Sequence, residues 1–242
     1  WISENNLVGL AHSRLSIIDL SQNGLQPLHS SNGRYHITFN GEIYNYKQLR
    51  SQLKKESFSQ WKGDSDTEVL LACVELWGLE KTLESIIGMY SFALYDSNLN
   101  VVHLVRDRSG EKPLFYYVDS GTIYFASELK ALISFNDLPK KLDTNALHYY
   151  LHAGYVSGDR CILKDFHKLK AAHVLSFNIN SSTYKTWCYW TLPDSSDVLN
   201  YSEIELVEEF ENLLYESVTL QLNADVPVGI LLSGGIDSSL IT

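Results

Sequence analysis

The chain of 242 residues has an ordinary globular composition, with 45% hydrophobic and 20% charged residues. Its 29 acidic and 19 basic side chains give a formal charge of −10, which disfavours a nucleic acid or an anionic membrane as the main partner. No run of about 18 apolar residues is present, so no membrane-spanning helix is expected. Cys73, Cys161 and Cys188 are widely spaced and form no CxxC pair, so we expect reduced thiols and a cytoplasmic protein.

Strand and helix patterns alternate in the first eighty residues. Short strand patterns occupy residues 7–12, 15–20 and 35–40. A helix is predicted from about Tyr44, with Leu49 and Leu53 on one side. The next helix has a stronger start signal, because residues 65–68 have the Ser-x-x-Glu spacing of a capping box. Gly78 is expected to end it.

The middle of the chain is rich in strands that follow one another closely. Strands are predicted over residues 90–95, 101–105, 114–118 and 122–125. Helices are predicted over residues 128–132 and 145–151, and further strands continue to about residue 190. Paired strands with helices outside them indicate a layered α+β domain and disfavour a doubly wound parallel sheet.

A segment of linker composition divides the chain, and we expect a first domain over residues 1–192 and the start of a second over 203–242. An amphipathic helix is predicted over 203–222, and the continuous apolar run 226–232 predicts a buried parallel strand. That strand would lead into a turn at 233–239 and a new helix. A helix, a strand and a turn cannot bury a core alone, so the second domain is expected to be incomplete here.

The turn after the predicted strand has the composition of an anion-binding loop. A strand followed by small residues, glycines and a helix start directs backbone N–H groups at a phosphate. No lysine follows the glycines, so the pattern is not a Walker A loop. Asp237 would repel a phosphate unless Mg²⁺ bridges the two. The alternative is a Ser/Gly-rich turn in which Asp237 caps the helix.

The sequence Ser-Gly-Gly-Ile-Asp-Ser at residues 233–238 resembles the SGGxDS loop of the ATP pyrophosphatases. These enzymes cut ATP between the α and β phosphates and transfer AMP to a carboxyl or carbonyl oxygen. The resemblance implies that the loop binds ATP and pyrophosphate, and that Asp237 acts through Mg²⁺. The residues implied to bind are Leu232, Ser233, Gly234, Gly235, Asp237 and Ser238.

A second resemblance covers nearly the whole chain. Its motifs, in order, are HSRLSI (12–17), QPL (26–28), NGEIYN (40–45), SDTE (65–68), MYSFA (89–93), RDR (106–108), KPL (112–114) and ASE (126–128). This set resembles the glutamine amidotransferase domain of the glutamine-hydrolysing asparagine synthetases. The resemblance implies a four-layer αββα sandwich of the N-terminal-nucleophile type, followed by the first helix, strand and loop of an α/β ATP-pyrophosphatase domain.

The resemblance also implies roles for individual residues. Arg14 would hold the α-carboxylate of glutamine, a task suited to a guanidinium group. Asn40 and Gly41 would stabilise the oxyanion of a tetrahedral intermediate. Asp66 would pair with the α-ammonium group of glutamine. The full implied glutamine-binding set is Arg14, Leu15, Ser16, Ile17, Ile18, Asn40, Gly41, Glu42 and Asp66.

One departure from the family concerns the nucleophile. In the family this is a cysteine at the mature N-terminus, whose own α-amine serves as the base. Position 1 here is Trp, and the three cysteines lie mid-chain without a free amine. We interpret the chain as a fragment shortened at both ends, and we expect these residues alone to be inactive.

The parent reaction implied by the resemblance is the ATP-driven amidation of aspartate to asparagine. Glutamine would supply ammonia, aspartate would be activated by ATP and Mg²⁺ as an aspartyl-adenylate, and AMP and pyrophosphate would leave. Because the family is often dimeric, a homodimer is expected.

Three alternatives stay open at this point. One is a β-lactam synthetase-like ligase that has lost its glutaminase. Another is an amidotransferase that acts on a carboxylated sugar or peptide. The third is a glutamine-binding module without catalysis.

Overall fold

Within residues 1–13, 24–194, 201–222 and 227–242, which the computed structural model describes, nine strands form two antiparallel sheets. The larger sheet has the strand order β1 (Leu28–His29), β2 (Tyr35–Ile43), β3 (Gly88–Asp96), β4 (Val101–Arg106), β8 (His173–Asn178) and β9 (Thr183–Cys188). The smaller sheet has the order β6 (Thr122–Ala126), β5 (Phe115–Asp119) and β7 (His167–Lys168). The helices are α1 (Tyr46–Lys55), α2 (Asp66–Trp77), α3 (Leu79–Ser85), α4 (Leu129–Ile133), α5 (Thr144–Ala153), α6 (Glu203–Gln221) and α7 (Ile236–Ile241).

Three hydrophobic clusters separate four layers. Alternate residues of β2 and β3, such as Ile37 and Phe92, pack against α1, α2 and α3. The other face of the larger sheet, represented by Leu104, packs against the smaller sheet. Beyond the smaller sheet, Tyr117 packs with Leu132 of α4. The order is helix, sheet, sheet, helix, and the expected α+β sandwich with αββα layers is confirmed.

The predicted capping box at the start of α2 forms only in part. The Glu68 N–H donates to the Ser65 hydroxyl (3.2 Å), as the pattern predicts. The Glu68 carboxylate instead accepts from the backbone N–H groups of residues 62–63. A complete reciprocal capping box forms at Ser202 and Glu205, where α6 begins. The loop before α2 therefore competes for the glutamate that the sequence pattern places in the cap.

Two predicted strands do not form. Residues 7–12 contain only an isolated bridge between Ile2 and Gly9. Residues 227–232 have no regular secondary structure and are exposed, so the buried parallel strand predicted there is wrong for the residues described. A parallel strand needs a neighbouring strand to bond with, and the described part of the chain brings none to this segment. The strand pattern at 15–20 lies outside the described residues.

The long helix predicted after the linker forms as α6, but its apolar side chains are exposed. Phe210 and Leu213 show 59% and 57% of their surface. The helix predicted from the amphipathic pattern is therefore confirmed, but the described residues do not bury its apolar side chains. Across the described ranges, no helix combines the length and apolar character needed to cross a membrane.

Candidate functional site

A cavity of about 640 Å³ lies against the C-terminal half of β2, between the two sheets and the first turn of α2. Four of the residues singled out in the sequence line it together: Asn40, Gly41, Glu42 and Asp66. They come from two separate segments, and the fold brings both to one end of the larger sheet. The proposed contacts from residues 14–18, namely Arg14, Leu15, Ser16, Ile17 and Ile18, lie outside the described residues.

Hydrogen bonds between the two sheets frame the cavity at Asn40. The Asn40 Nδ2 donates to the Ser127 Oγ (3.1 Å), directly after β6. Ser91, which faces Asn40 on β3, donates from its hydroxyl to the Pro113 carbonyl (3.1 Å) ahead of β5. Each bond joins the larger sheet to the smaller sheet or its leading segment, so the position of Asn40 depends on both.

The backbone of Gly41 is directed away from β3. The Asp107 N–H donates to the Tyr90 C=O (2.8 Å), so the peptide groups of Tyr90 face β4. Gly41 is the β2 partner of Tyr90. Two residues that face each other in an antiparallel ladder direct their N–H and C=O groups either both toward each other or both away. Because the groups of Tyr90 face β4, the N–H of Gly41 points to the edge of β2 that lies opposite β3.

Side-chain acceptors occupy that outer edge of β2 on either side of Gly41. The Phe39 N–H donates to the Gln26 Oε1 (2.6 Å), and the Ile43 N–H donates to the Asp66 Oδ2 (2.9 Å). The N–H of Gly41 lies between these two along the strand. A backbone donor in this position can bind an oxygen atom in the cavity.

A side chain at position 41 is excluded by its neighbours. A Cβ atom there would overlap the Met89 carbonyl oxygen and lie 2.6 Å from the Tyr90 Cα. Both atoms belong to the backbone of the adjacent strand and cannot move aside without separating the sheet. Glycine is therefore required for the close approach of β2 to β3.

Asp66 is a buried carboxylate at the start of α2. In addition to Ile43, it accepts from the Thr67 N–H (2.8 Å). Burial raises its pKa, and these hydrogen bonds to the charged form oppose the rise. The Thr67 hydroxyl also donates to it (3.4 Å), and Asp66 lines the cavity, so a cationic ligand there would meet a negative charge.

Glu42 and Lys112 give the cavity a mixed charge. Burial raises the pKa of Glu42, the charge of Asp66 raises it further, and Lys112 opposes both effects. A ligand with one cationic and one anionic group could place the first near the carboxylates and the second near Lys112. A pocket of this kind suits a zwitterion such as an amino acid.

Several residues of the cavity lining were not among the predicted site residues. These are Gln26, Ser91, Lys112 and Ser127. Each lies inside a motif that carried the family resemblance, which was the available signal. Gln26, Ser91 and Ser127 bond to residues 13, 22 and 87 positions away, so spacing alone could not show which groups they contact.

The three cysteines lie away from the cavity lining. Cys73 and Cys161 are buried, and burial raises the pKa of Cys73 to about 12. A thiol is nucleophilic only as the thiolate, so Cys73 is unreactive at neutral pH. Cys188 is exposed on β9. No cysteine of this chain is therefore a candidate nucleophile for the cavity.

The proposed phosphate loop is separate from this cavity. The left-handed Gly234 (φ 79°) precedes α7, and the hydroxyls of Ser233 and Ser238 lie 3.0 Å apart. The side chains of Leu232 and Asp237 are exposed, and Gly235 is the N-cap residue of α7. In the described residues no group of three or more His, Cys, Asp or Glu side chains could hold a metal.

Comparison with known proteins gives two family matches. Residues 1–190 match a glutamine amidotransferase domain, and residues 209–242 match asparagine synthase. The chain is 40% identical to asparagine synthetase [glutamine-hydrolyzing] 2 of Bacillus subtilis, over 97% of this chain and 32% of that protein. It is 34% identical to putative asparagine synthetase [glutamine-hydrolyzing] 2 of Methanocaldococcus jannaschii, over 98% of this chain and 48% of that protein. It thus spans about a third to a half of these relatives.

Among solved structures, glutamine phosphoribosylpyrophosphate amidotransferase from B. subtilis, complexed with ADP and GMP, resembles the chain with a TM-score of 0.53 and 19% identity. The match covers 75% of this chain and 34% of that one. At this identity the likeness concerns the fold alone. It confirms the N-terminal-nucleophile-type sandwich expected from the sequence.

Proposed function

The chain belongs to the glutamine amidotransferase domain family and continues into the start of an asparagine synthase domain, and on this premise we propose that its cavity binds glutamine as an amide donor. One observation carries the proposal: Asn40, Gly41, Glu42 and the buried Asp66 converge on one cavity between the sheets. The charged side chains of the cavity suit the α-ammonium and α-carboxylate groups of a free amino acid. Asp66 would bind the α-ammonium group, and Arg14 the α-carboxylate.

In the proposed reaction, the carboxamide of glutamine lies against the outer edge of β2. The thiolate of an N-terminal cysteine, which is the nucleophile of the family, would attack the carbonyl carbon, and its thiol proton would pass to the α-amine. Collapse of the tetrahedral intermediate would break the C–N bond, return the proton to the leaving ammonia and leave a thioester. Before that collapse, the former carbonyl oxygen is an oxyanion. The Gly41 N–H and the Asn40 amide would donate to that oxygen, and a fixed donor of this kind contributes about 3 kcal/mol. Because no cysteine lines the cavity, we expect a polypeptide of only these 242 residues to bind glutamine without hydrolysing it.

The first test is isothermal titration calorimetry with L-glutamine. We expect one saturable site, no binding of D-glutamine at the same concentrations, and competition by close analogues that keep both α-substituents. The stereoisomer is the control, because it has the same charges in another arrangement. Equal binding of both isomers, or none of either, would contradict the proposal.

The pH dependence of the affinity gives a second test. The Asp66 carboxylate binds an ammonium group only when ionised, and burial raises its pKa above the ordinary value of 3.8. Glutamine affinity should therefore be full at neutral pH and fall as the pH drops, with a midpoint above 3.8. Asp64→Asn is the control, since it removes an exposed carboxylate outside the cavity lining and should keep this midpoint.

We propose that residues 203–242 begin a synthetase domain that makes asparagine from aspartate and ATP through an aspartyl-adenylate. The Ser-Gly-Gly-Ile-Asp-Ser sequence and the match to asparagine synthase support this. Mg²⁺ commonly uses one or two carboxylates together with substrate phosphates, so the single exposed Asp237 fits the ion. When bound, Mg²⁺ would neutralise phosphate charge. A cytoplasmic location, a homodimer and the domain limits at 192 and 203 stay predictions.

A further inference from the structure

The contact between Asn40 and Ser127 joins residues that are 87 positions apart in the chain. Asn40 lies on β2 of the larger sheet, and Ser127 directly follows β6 of the smaller sheet. Both side chains are partly buried and line the cavity. The amide of Asn40 is therefore held from the sheet opposite its own.

An asparagine side chain has two chemically different ends. Its nitrogen donates two hydrogen bonds, and its oxygen only accepts. Rotation by half a turn about the last side-chain bond exchanges the two ends, with little change in shape. A serine hydroxyl can accept from the nitrogen or donate to the oxygen. In the structure the Asn40 nitrogen is the donor, and this pairing leaves its second N–H for a carbonyl oxygen in the cavity.

We propose that Ser127 is a positioning residue that orients the Asn40 amide for glutamine. The Ser127 Oγ accepts one N–H of Asn40 (3.1 Å), and the second N–H of the same nitrogen is then the donor for the glutamine side-chain carbonyl. This inference rests on the proposed function and adds to it a residue that acts through Asn40.

The surrounding structure fixes the distance between the two groups. Ser91 faces Asn40 across the β2–β3 ladder, and its hydroxyl donates to the Pro113 carbonyl (3.1 Å). The residue before Ser127, Ala126, pairs with Phe115 at the end of the β5–β6 ladder. Asn40 and Ser127 are thus each anchored in a sheet, so the contact orients the amide at a small entropic cost.

The test combines side-chain NMR with glutamine titration. The amide resonances of Asn40 are identified as the pair that disappears in Asn40→Asp. In Ser127→Ala we expect these resonances to shift and the Asn40 amide to rotate faster about the last side-chain bond. We also expect glutamine affinity to fall about tenfold, which corresponds to about 1.4 kcal/mol. Ser127→Thr keeps the hydroxyl and should restore both readouts. Ser134→Ala, at an exposed serine beyond α4, is the matched control.

The outcomes separate this inference from the proposed function. If the unmodified protein binds glutamine and Ser127→Ala leaves both the resonances and the affinity unchanged, Ser127 does not orient Asn40. A loss of affinity that Ser127→Thr fails to restore also overturns the proposal. If the unmodified protein binds no glutamine, the proposed function fails, and the Asn40 resonances still decide whether Ser127 orients the amide.

Discussion

Replacing Asp66 by asparagine is expected to weaken glutamine binding about 30-fold or more. Removal of one partner from a buried, hydrogen-bonded charge pair costs about 2–5 kcal/mol, and every 1.4 kcal/mol is a factor of ten in affinity. Asp66 is 6% exposed, so little water can solvate the ammonium group of glutamine once its carboxylate partner is removed. Isothermal titration calorimetry with L-glutamine at neutral pH measures the change.

Asp64→Asn is the matched control for this substitution. The same charge is removed two residues earlier, from a side chain that is 89% exposed and lies 2.9 Å from Arg50. Surface pairs of this kind contribute about 0–1 kcal/mol, so glutamine affinity should be nearly unchanged. If Asp66→Asn bound glutamine as tightly as Asp64→Asn, the assignment of the α-ammonium group to Asp66 would be wrong. Circular dichroism of both variants checks that they are folded.

Replacing Gly41 by alanine is expected to destabilise the protein by about 3 kcal/mol, because the new methyl group would overlap the backbone of β3. In a chain of this size, such a loss lowers Tm by roughly 6–12 °C. Thermal unfolding followed by circular dichroism measures the change. The backbone of β2 would also move, so glutamine binding should decrease in the fraction that remains folded.

Gly9→Ala serves as the comparison. Gly9 is exposed, and a Cβ added there meets no atom within 4 Å. Its Tm should stay within about 2 °C of the unmodified protein, since surface substitutions of this kind usually change stability by no more than about 0.5 kcal/mol. Equal Tm values for the two alanine variants would show that β2 and β3 tolerate a side chain at position 41.

Local patterns predicted most of the elements that bound the candidate site. The period-two alternation at 35–40 marks β2, and the structure extends it to Ile43. The Ser-x-x-Glu signal places the start of α2 at Asp66, and Gly78 ends the helix, as predicted. These signals succeed because each depends on neighbouring residues: alternating burial of one face, a hydroxyl cap, or a glycine without a Cβ.

Local patterns do not predict the structure of segments that depend on distant partners. The apolar run 226–232 has the composition of a buried strand, yet its described residues are exposed and unpaired in any sheet. Leu231 shows 95% of its surface. A strand is completed by hydrogen bonds to another segment, and composition records only its suitability for burial.

The class of fold, the family and the motifs that contain Asn40, Gly41, Glu42 and Asp66 can all be recognised in the amino-acid sequence. Three features emerge only once the chain is folded: these residues share a cavity, the Gly41 N–H faces the outer edge of β2, and the Asn40 amide donates to Ser127. The difference lies in the range of the interactions. Caps and alternation act within a few residues, whereas a hydrogen bond across two sheets exists only after both sheets have formed and packed.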